Sequence, residues 1–560
     1  MGNPVERPDA IIVGSGAGGG TAARALTDAG WSVIVMEKGE IGSAEDYLPY
    51  DELHFLEHKA LIPHKQDAQG NGHDHNVHVD STGKASRSER WWIANMVGGS
   101  TNLWEANLPR YTDEDFAVLN YFPDPPSDTS MVNWPWTYES FQPYFEKAEH
   151  EWCVSGRAGQ SPVQEPMRAG YDYPMPPLRA HGQVPFITSM FNRVGMNPYR
   201  SPRGINSRTF DSRPGCPFCG YCQGFGCAVN DRASAQNTVL PRALATGRCE
   251  IRTSHCVTRI VHEKGKVLGV AYKTEPNGEE KVLKAPRVIV SIQAIESARL
   301  FLLSDMPNKN GLIGRYLTYH TKGSAEFVFP GQPVWGTMDP DNPYQPRTSL
   351  GSLQLRDLYV INDPKTHLTK GGKFSIYDPY TINPPIKALT RTGLRPTKAR
   401  RLWGQNLLDR MMELRSKGGM SLSFTGETMS LYDNRVELDA TDKDPWGMPV
   451  AKTHYRHHDY DLALSKYALD RICDIVGNAG GQVRALSAQG IENPGYGHNH
   501  GTLRAGADPG ESVLDENCQS HEVEGLYVLD SAFMPTAGAS NPTLTQIANA
   551  FRVCENMPRA

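Results

Sequence analysis

The chain has 560 residues, a net charge of −5 and 39% apolar residues. This length allows two large domains, or one domain with insertions, around a well-buried core. The modest negative charge, without a long charged tail, argues against a nucleic-acid partner, because phosphate binding relies on clustered Lys and Arg. The longest apolar runs are shorter than the about 20 residues of a membrane-spanning helix, so we expect no direct membrane span.

The first residues, MGNPVERPDAIIV, contain no basic region, twin arginine or apolar stretch before the first predicted strand. The sequence thus leaves the compartment open. We expect either a cytoplasmic protein or a periplasmic one that is co-exported with a partner subunit that carries the signal.

Residues 9–39 read as strand, turn, helix and strand, with Glu37 after the second strand. Three glycines at the turn form a G-x-G-x-x-G pattern: Gly14, Gly16 and Gly19. Such glycines permit a tight turn and the close approach of a pyrophosphate, and the helix N-terminus offers free N–H groups to it. Glu37 can accept hydrogen bonds from ribose hydroxyls. The pattern predicts a bound dinucleotide, with a glycine-rich turn of another α/β protein as the alternative, and it does not separate FAD from NAD.

Two C-terminal segments favour FAD over NAD: HNHGTLRAGADP at 498–509 and GLYVLDSAFMPTAGASNPTLTQI at 525–547. Both resemble the glucose-methanol-choline (GMC) family of FAD oxidoreductases. The loop VGGSTNLW at 97–104 resembles the glycine-rich loop that this family places against the flavin. Residues 134–152 resemble the sugar-oxidising branch of the family, which includes gluconate and fructose dehydrogenase large subunits, glucoside 3-dehydrogenases and, more distantly, pyranose oxidase.

Oxidation of an alcohol needs a base for the hydroxyl proton, and a His with a pKa near neutrality suits that role. The resemblance assigns the base to His498 and implies that Asn541 holds the same substrate oxygen. His500 is the competing candidate, because a register error of two residues would exchange the two histidines.

The resemblance also implies FAD contacts beyond the glycine turn. In the loop at 97–104 these are Gly99, Ser100 and Asn102. Elsewhere they are the backbone of Val257 beside adenine, Asp530 at the ribityl chain and Thr543 near the pyrimidine end. Pyranose oxidases attach the flavin through a His in the loop, and Leu103 stands at that place here. We therefore expect non-covalent FAD.

The run CPFCGYCQGFGC has the spacing C-x2-C-x2-C-x4-C, from the four residues Cys216, Cys219, Cys222 and Cys227. This spacing is close to the bacterial ferredoxin run C-x2-C-x2-C-x3-C, with one more residue before the last cysteine. Zinc is the first alternative, although zinc cysteines usually form two separated pairs. Free or disulfide-bonded thiols are the second, although disulfides between such near neighbours would be strained. We expect an Fe–S cluster, [4Fe–4S] or [3Fe–4S], in an insertion at about 211–232.

Together these observations predict an α/β fold in two domains. The first is a discontinuous, Rossmann-like FAD-binding domain at 1–325 and 490–560. The second is an α+β substrate-binding domain with an antiparallel sheet at 326–489.

The predicted function is an FAD-dependent dehydrogenase that oxidises a secondary hydroxyl of a sugar or glycoside, with an aldonate as a further candidate substrate. Electrons would leave the flavin through the Fe–S cluster to a haem protein or quinone, with a small accessory subunit as partner. One alternative is an oxidase that uses O₂ and has structural cysteines. Another is a non-catalytic flavoprotein, against which the presence of both His498 and Asn541 argues.

Overall fold

The computed structural model describes most of the chain. The residues described are 1–43, 76–88, 93–179, 184–218, 222, 226–330, 353–361, 363–377, 404–406, 408–409, 420–490 and 497–559. Within these ranges no helix is both long enough and apolar enough to cross a lipid bilayer.

The central sheet consists of five parallel strands. In the order in which they pair, these are β18 (Leu526–Val528), β10 (Val288–Val290), β1 (Ala10–Val13), β2 (Val33–Met36) and β6 (Cys249–Arg252). Every residue of the first four is buried, as expected for a parallel sheet covered on both faces. Helix α1 (Ala17–Asp28) follows β1 and packs against α9 (Thr543–Asn556) near the C-terminus.

Further helices are found along the described part of the chain. They are α2 (Asp113–Phe116), α3 (Val118–Tyr121), α4 (Tyr138–Glu151), α5 (Val184–Arg193), α6 (Val239–Ala245), α7 (Ala294–Leu303) and α8 (Asp459–Asn478). Helix α4 begins after Thr137, whose hydroxyl accepts the N–H of Ser140 and so caps the helix. Near the other end of α4, Glu149 forms a fully buried, bidentate ion pair with Arg110, with both N···O distances at 2.8 Å.

A six-stranded antiparallel sheet forms the second large layer. Its strands, in pairing order, are β17 (Gln482–Ala488), β11 (Thr321–Val328), β14 (Met420–Gly426), β13 (Gly372–Tyr377), β12 (Leu353–Leu355) and β5 (Tyr199–Arg200). One face is apolar and packs against α8 through residues such as Phe374, Phe424 and Leu464. The strands alternate polar and apolar residues, so the opposite face is polar.

Two smaller sheets complete the described strands. The first is mixed and runs β15 (Arg435–Lys443), β16 (Pro449–His454), β3 (Asn76–Val79) and β4 (Ala85–Ser88). The second is an antiparallel meander of β7 (Cys256–Glu263), β8 (Lys266–Lys273) and β9 (Lys281–Lys284).

The predicted α/β class is confirmed, with a Rossmann-like parallel sheet and a separate antiparallel sheet. The sequence pattern assigned Gly19 to the turn, whereas α1 already begins at Ala17, among glycines. The reason is steric: a Cβ atom at Gly18 would lie 1.9 Å from the carbonyl oxygen of Leu529, so only glycine lets the first turn lie against β18. The predicted domain boundaries stay a prediction. Strand β5, from the first predicted domain, pairs with β12, from the second.

Candidate active site

The glycine turn between β1 and α1 has the shape that a dinucleotide pyrophosphate needs. Gly14 has a φ of +90°, and α1 begins after Gly16 without a side-chain cap. A Cβ atom added at Gly16 would meet no atom within 4 Å, so open space lies beside the first N–H groups of the helix. At Gly19 a Cβ atom would lie 2.0 Å from the carbonyl oxygen of Gly14, so this position requires glycine for the turn to close. The turn and helix end therefore fit the cofactor that the sequence predicts.

Glu37 follows β2 and fastens this turn. Its Oε2 atom accepts hydrogen bonds from the Ser15 N–H (3.1 Å) and the Ser15 hydroxyl (2.5 Å), and its Oε1 atom accepts one from the N–H of Gly39 (3.0 Å). Burial raises the pKa of Glu37, while these hydrogen bonds act in the opposite direction. The carbonyl oxygen of Glu37 accepts the N–H of His255 at 2.9 Å, two residues before Val257. The predicted ribose and adenine contacts are thus neighbours in the structure.

The predicted flavin loop contains one 3-10 turn that starts at Gly99 and ends at Asn102. A Cβ atom at Gly99 would lie 3.3 Å from the Cα atom of Gly16, so the loop rests directly on the glycine turn. The Asn102 side chain donates to the carbonyl oxygen of Gly99 at 3.1 Å, and the Ser100 hydroxyl accepts a backbone N–H at 3.1 Å. Leu103 is 4% exposed and carries no group that forms a histidyl-type bond to a flavin.

Asp530 follows β18, and its carboxylate holds the turn before α7. Its Oδ2 atom accepts the N–H groups of Ile292 (2.9 Å) and Gln293 (3.1 Å), and its Oδ1 atom accepts that of Ala532 (2.9 Å). Gln293 has a φ of +86°, a conformation that favours glycine, and its side chain caps α7. Burial raises the pKa of Asp530. Thr543 is the first residue of α9, so its predicted flavin contact would lie at a helix N-terminus.

His498 and Asn541 are 43 residues apart in sequence and lie side by side in the structure. The Nδ2 atom of Asn541 is 3.4 Å from Nε2 of His498. The Oδ1 atom of Asn541 accepts hydrogen bonds from Nζ of Lys373 (2.7 Å) and Nδ2 of Asn107 (3.0 Å). These two donors orient the amide so that its NH₂ group faces the His498 ring. Because an amide NH₂ group only donates, Nε2 of His498 is the unprotonated nitrogen, as a general base requires.

Burial and neighbouring cationic groups keep His498 neutral. Burial lowers the pKa of His498 well below 6.5, and Lys322, His500 and Lys373 act in the same direction. His500 is fully buried, whereas His498 is partly exposed, and burial lowers the pKa of His500 to about 3. Among the described residues the His500 ring has no side-chain hydrogen-bond partner, and its polar contact is with the backbone of Thr318. Of the two candidate bases, His498 is therefore the one that meets the Asn541 amide.

The sequence analysis missed two lysines beside this pair. Lys373 lies on β13 and is fully buried, and Lys322 lies on β11 and donates to the Thr425 hydroxyl at 3.0 Å. Neither belongs to a motif. The signal that was present is the alternation in TKGSAEFV and GKFSIY, which gives each strand a polar face. The sequence alone does not say that this face meets the histidines.

The cysteine run lies close to the flavin loop. The thiols of Cys216 and Cys227 both reach the carboxylate of Asp231, with Sγ of Cys227 at 3.3 Å from Oδ1. Burial, Asp231 and Cys222 raise the pKa of Cys216. Among the described residues, no three His, Cys, Asp or Glu side chains converge as metal ligands. The fourth predicted ligand, Cys219, lies outside the described residues.

An arginine joins this run to the loop. The guanidinium group of Arg232 is 2% exposed. It donates to the carbonyl oxygen of Asn102 at 2.5 Å and also to that of Cys222. Trp104 packs beside the same cysteines and donates its ring N–H to the carbonyl oxygen of Ala233 at 2.8 Å. The cysteine run and the predicted flavin loop therefore share one set of buried contacts.

Comparison with known proteins supports the same interpretation as this geometry. Two sequence profiles described as GMC oxidoreductase match the chain, one at residues 128–322 and the other at 431–550. Together they cover more than half of its length.

Individual proteins match along nearly the whole chain. A 2-methyl-1,2-propanediol dehydrogenase of Mycolicibacterium austroafricanum is 26% identical over 100% of this chain and 96% of its own length. A gluconate 2-dehydrogenase flavoprotein of Pantoea cypripedii is 23% identical over 97% of this chain and 92% of its own. The crystal structure of pyridoxine 4-oxidase from Mesorbium loti superposes with a TM-score of 0.58 at 17% identity, covering 98% of this chain and 99% of that one. This last similarity concerns the fold alone.

Proposed function

We propose, for a chain that belongs to the GMC oxidoreductase family, that its activity is the oxidation of a secondary hydroxyl in a sugar or glycoside. The chain is an FAD-dependent oxidoreductase that acts on alcohol or sugar hydroxyls. The finer assignment, to a dehydrogenase that passes electrons out through the cysteine run, is our proposal.

The observation that carries this proposal is the contact between His498 and Asn541. The Nε2 lone pair of His498 would accept the proton of the substrate hydroxyl, and the Asn541 amide would hold the same oxygen. The hydrogen on the adjacent carbon leaves as a hydride, and a carbonyl group remains. When bound, FAD supplies the acceptor for that hydride at N5. The low pKa of His498 leaves the ring neutral before substrate arrives, but it also makes the ring a weaker base than the near-neutral pKa expected from the sequence.

The polar face of the six-stranded sheet supports a substrate with several hydroxyl groups. Ser324, Ser423 and Ser375 lie opposite one another on β11, β14 and β13. The next strand adds Gln354, which pairs with Ser375 and donates to the side chains of Ser201 (2.9 Å) and Asn107. A row of hydroxyl and amide groups suits a sugar ring better than a simple aliphatic alcohol.

The cysteine run supports the electron exit. An Fe–S cluster on Cys216, Cys219, Cys222 and Cys227 would supply one-electron steps after the two-electron chemistry of the flavin. The thiols of Cys216 and Cys227 share Asp231, and Arg232 bridges Cys222 and Asn102. These contacts bring the run next to the predicted flavin loop. Such an exit requires an external acceptor. We therefore retain a haem protein or quinone and a small accessory subunit as proposed partners, and a cytoplasmic or co-exported periplasmic location.

The experiment that tests the activity is anaerobic mixing of the holoenzyme with aldoses, glycosides and primary alcohols of similar size. We expect sugars or glycosides to bleach the flavin absorbance within one turnover, and product analysis to show a ketone on the ring. Exclusive bleaching by primary alcohols would contradict the proposed substrate class. Reoxidation by ferricyanide but not by O₂ is expected for a dehydrogenase, and rapid reoxidation by O₂ would identify an oxidase instead.

A further inference from the structure

The polar face of the six-stranded sheet carries two lysines in one row. Lys322 on β11 and Lys373 on β13 both lie opposite Thr425 on β14 in the strand register. Residues opposite one another in adjacent strands share a face, so both lysines are on the side away from α8. Neighbouring strands are about 4.8 Å apart, which places the two Cα atoms about 10 Å from each other. Both side chains are long enough to bring their ammonium groups onto one ligand.

Neither ammonium group is in direct contact with a carboxylate. The Nζ atom of Lys322 donates to the Thr425 hydroxyl at 3.0 Å, and that of Lys373 donates to Oδ1 of Asn541 at 2.7 Å. Within the described residues, no carboxylate forms an ion pair with either lysine, although the more distant charge of Glu165 favours the charged form of Lys373. Nearby cations differ in this respect, because Lys370 pairs with the carboxylate of Asp115 at 3.1 Å. Lys373 is fully buried with no carboxylate in contact, which is costly, so an anion that arrives from outside would relieve a real penalty.

Both lysines face the reacting end of the site. Lys373 contacts Asn541, which in turn contacts His498. The charge of Lys322 lowers the pKa of His498 and of His500, so Lys322 lies within electrostatic reach of both rings. An anion held by the two lysines would therefore be part of the same molecule whose hydroxyl meets His498.

We propose that Lys322 and Lys373 form a subsite for a carboxylate group, and that the substrate is a sugar acid. This proposal rests on the function proposed above and names the substrate class within it. Hydroxyl groups of the same molecule would contact Ser375 and the other serines of the next row. The carboxylate is recognised by two ammonium donors and the Thr425 hydroxyl, in the charge-assisted hydrogen bonds that are strongest in a buried site.

Binding of a carboxylate would also change the pKa values of the two lysines. Burial lowers the pKa of Lys322 to about 8 and that of Lys373 well below 10.5. A carboxylate beside them favours the charged form of both side chains and so raises both pKa values. The subsite is therefore matched to an anion and poorly matched to a neutral group.

The test uses two matched pairs of substrates with the holoenzyme. Methyl β-D-glucopyranosiduronate is compared with methyl β-D-glucopyranoside, and D-gluconate with D-glucitol, so that each pair differs in the carboxylate. The variants are Lys322→Met, which removes the charge, and Lys322→Arg, which retains it. The control is Lys466→Met, an exposed lysine on α8 at the opposite face of the sheet, paired with Asp470. Lys373→Met is less specific, because Lys373 also orients Asn541.

We expect wild type to prefer at least one of the two acids over its neutral partner in kcat/KM. Lys322→Met should lower kcat/KM for that acid by about 10- to 100-fold, the worth of one hydrogen bond to a charged group, and Lys322→Arg should restore part of it. In Lys322→Met, kcat/KM for the neutral substrates should change less than about 3-fold. Lys466→Met should resemble wild type with all four compounds.

A second readout does not depend on turnover. Sodium oxalate, titrated at constant ionic strength, should perturb the flavin absorbance of wild type, and Lys322→Met should weaken that binding. Equal losses for acids and neutral sugars would overturn the proposal, because the lysine would then act on the oxygen common to both. A preference for glucose 6-phosphate over both acids would overturn the assignment to a carboxylate. If neutral sugars are the better substrates, the subsite proposal fails while the proposed function stands. If none of the four compounds reduces the flavin and a primary alcohol does, the proposed function fails.

Discussion

Lys373 donates a 2.7 Å hydrogen bond to the amide oxygen of Asn541, and this bond, together with the one from Asn107, determines which way the Asn541 amide faces. With its oxygen held by a donor, the amide presents its NH₂ group to His498, and Nε2 of that ring must be free of hydrogen. A buried lysine on one sheet thus helps to set which ring nitrogen carries the hydrogen in a histidine on a distant part of the chain.

The first prediction concerns the base. His498→Ala should lower kcat by about 10²–10⁴-fold, the usual worth of a positioned acid–base group. The flavin content should equal that of wild type, because no predicted FAD contact is changed. His500→Ala is the matched control and should cost less than tenfold. The opposite ranking of the two variants would show that the catalytic register is shifted by two residues.

The second prediction concerns pH. Burial and the nearby cations lower the pKa of His498, so in wild type the acid limb of kcat/KM should lie well below pH 6.5. Asn541→Asp places a carboxylate beside the ring, which favours the imidazolium form and raises that pKa. The acid limb should therefore move to higher pH, with a loss of rate near pH 6.

Asn541→Leu is the control for this shift, because it removes the amide without adding charge. It should lower kcat/KM at every pH without moving the limb upward. An unmoved limb in Asn541→Asp would mean that another group sets the pH dependence.

The third prediction follows from the subsite. Lys322 has a pKa of about 8 in the free protein because burial disfavours its charged form. Its proton is present below that pH and is lost above it, so kcat/KM for a sugar acid should fall above pH 8. The neutral partner substrate should not show this limb. His498, His500, His320 and Lys373 face the same group, and burial already lowers the pKa of each. A limb of equal size for both substrates would argue against Lys322 as its origin.

The fold was predictable where the signal is local in sequence. The strand, glycine turn, helix and strand at 9–39 follow from short patterns of residue type, and β1, α1 and β2 form there. What the patterns missed was steric detail. The turn before α7 holds Gln293 at a positive φ, because Asp530, far along the chain, supplies the acceptor for that backbone. A contact between residues so distant in sequence has no local signature.

The same distinction applies to the site. His498 and Asn541 were identified by motif resemblance, and the structure adds that their side chains meet. Lys322 and Lys373 could not be assigned, because a lysine in an alternating strand is usually exposed to solvent. Only the pairing of β11, β14 and β13 shows that both lie in one row, with Lys373 fully buried and Lys322 partly buried. Register between strands depends on the whole sheet and is weakly encoded in any single strand.

The fourth prediction concerns the flavin. Leu103 stands where a covalent attachment would require a His, and it is buried. Precipitation with acid should therefore release FAD into the supernatant, where its absorbance and fluorescence can be measured against free FAD. Yellow colour that remains in the washed, unfolded pellet would contradict non-covalent binding.

The last prediction concerns the cysteine run. If the run holds an Fe–S cluster, Cys219→Ser should remove iron and sulfide and the broad visible absorption, while bleaching of the flavin in one anaerobic turnover should persist. The reason is that proton and hydride transfer need only FAD, His498 and Asn541. Steady turnover with a one-electron acceptor such as a haem protein should fall severely. Cys473→Ser, on the surface of α8, is the matched control and should retain iron and turnover. Stoichiometric zinc without iron in wild type would overturn the relay at once, and unchanged turnover with the haem acceptor in an iron-free Cys219→Ser protein would place the electron exit elsewhere.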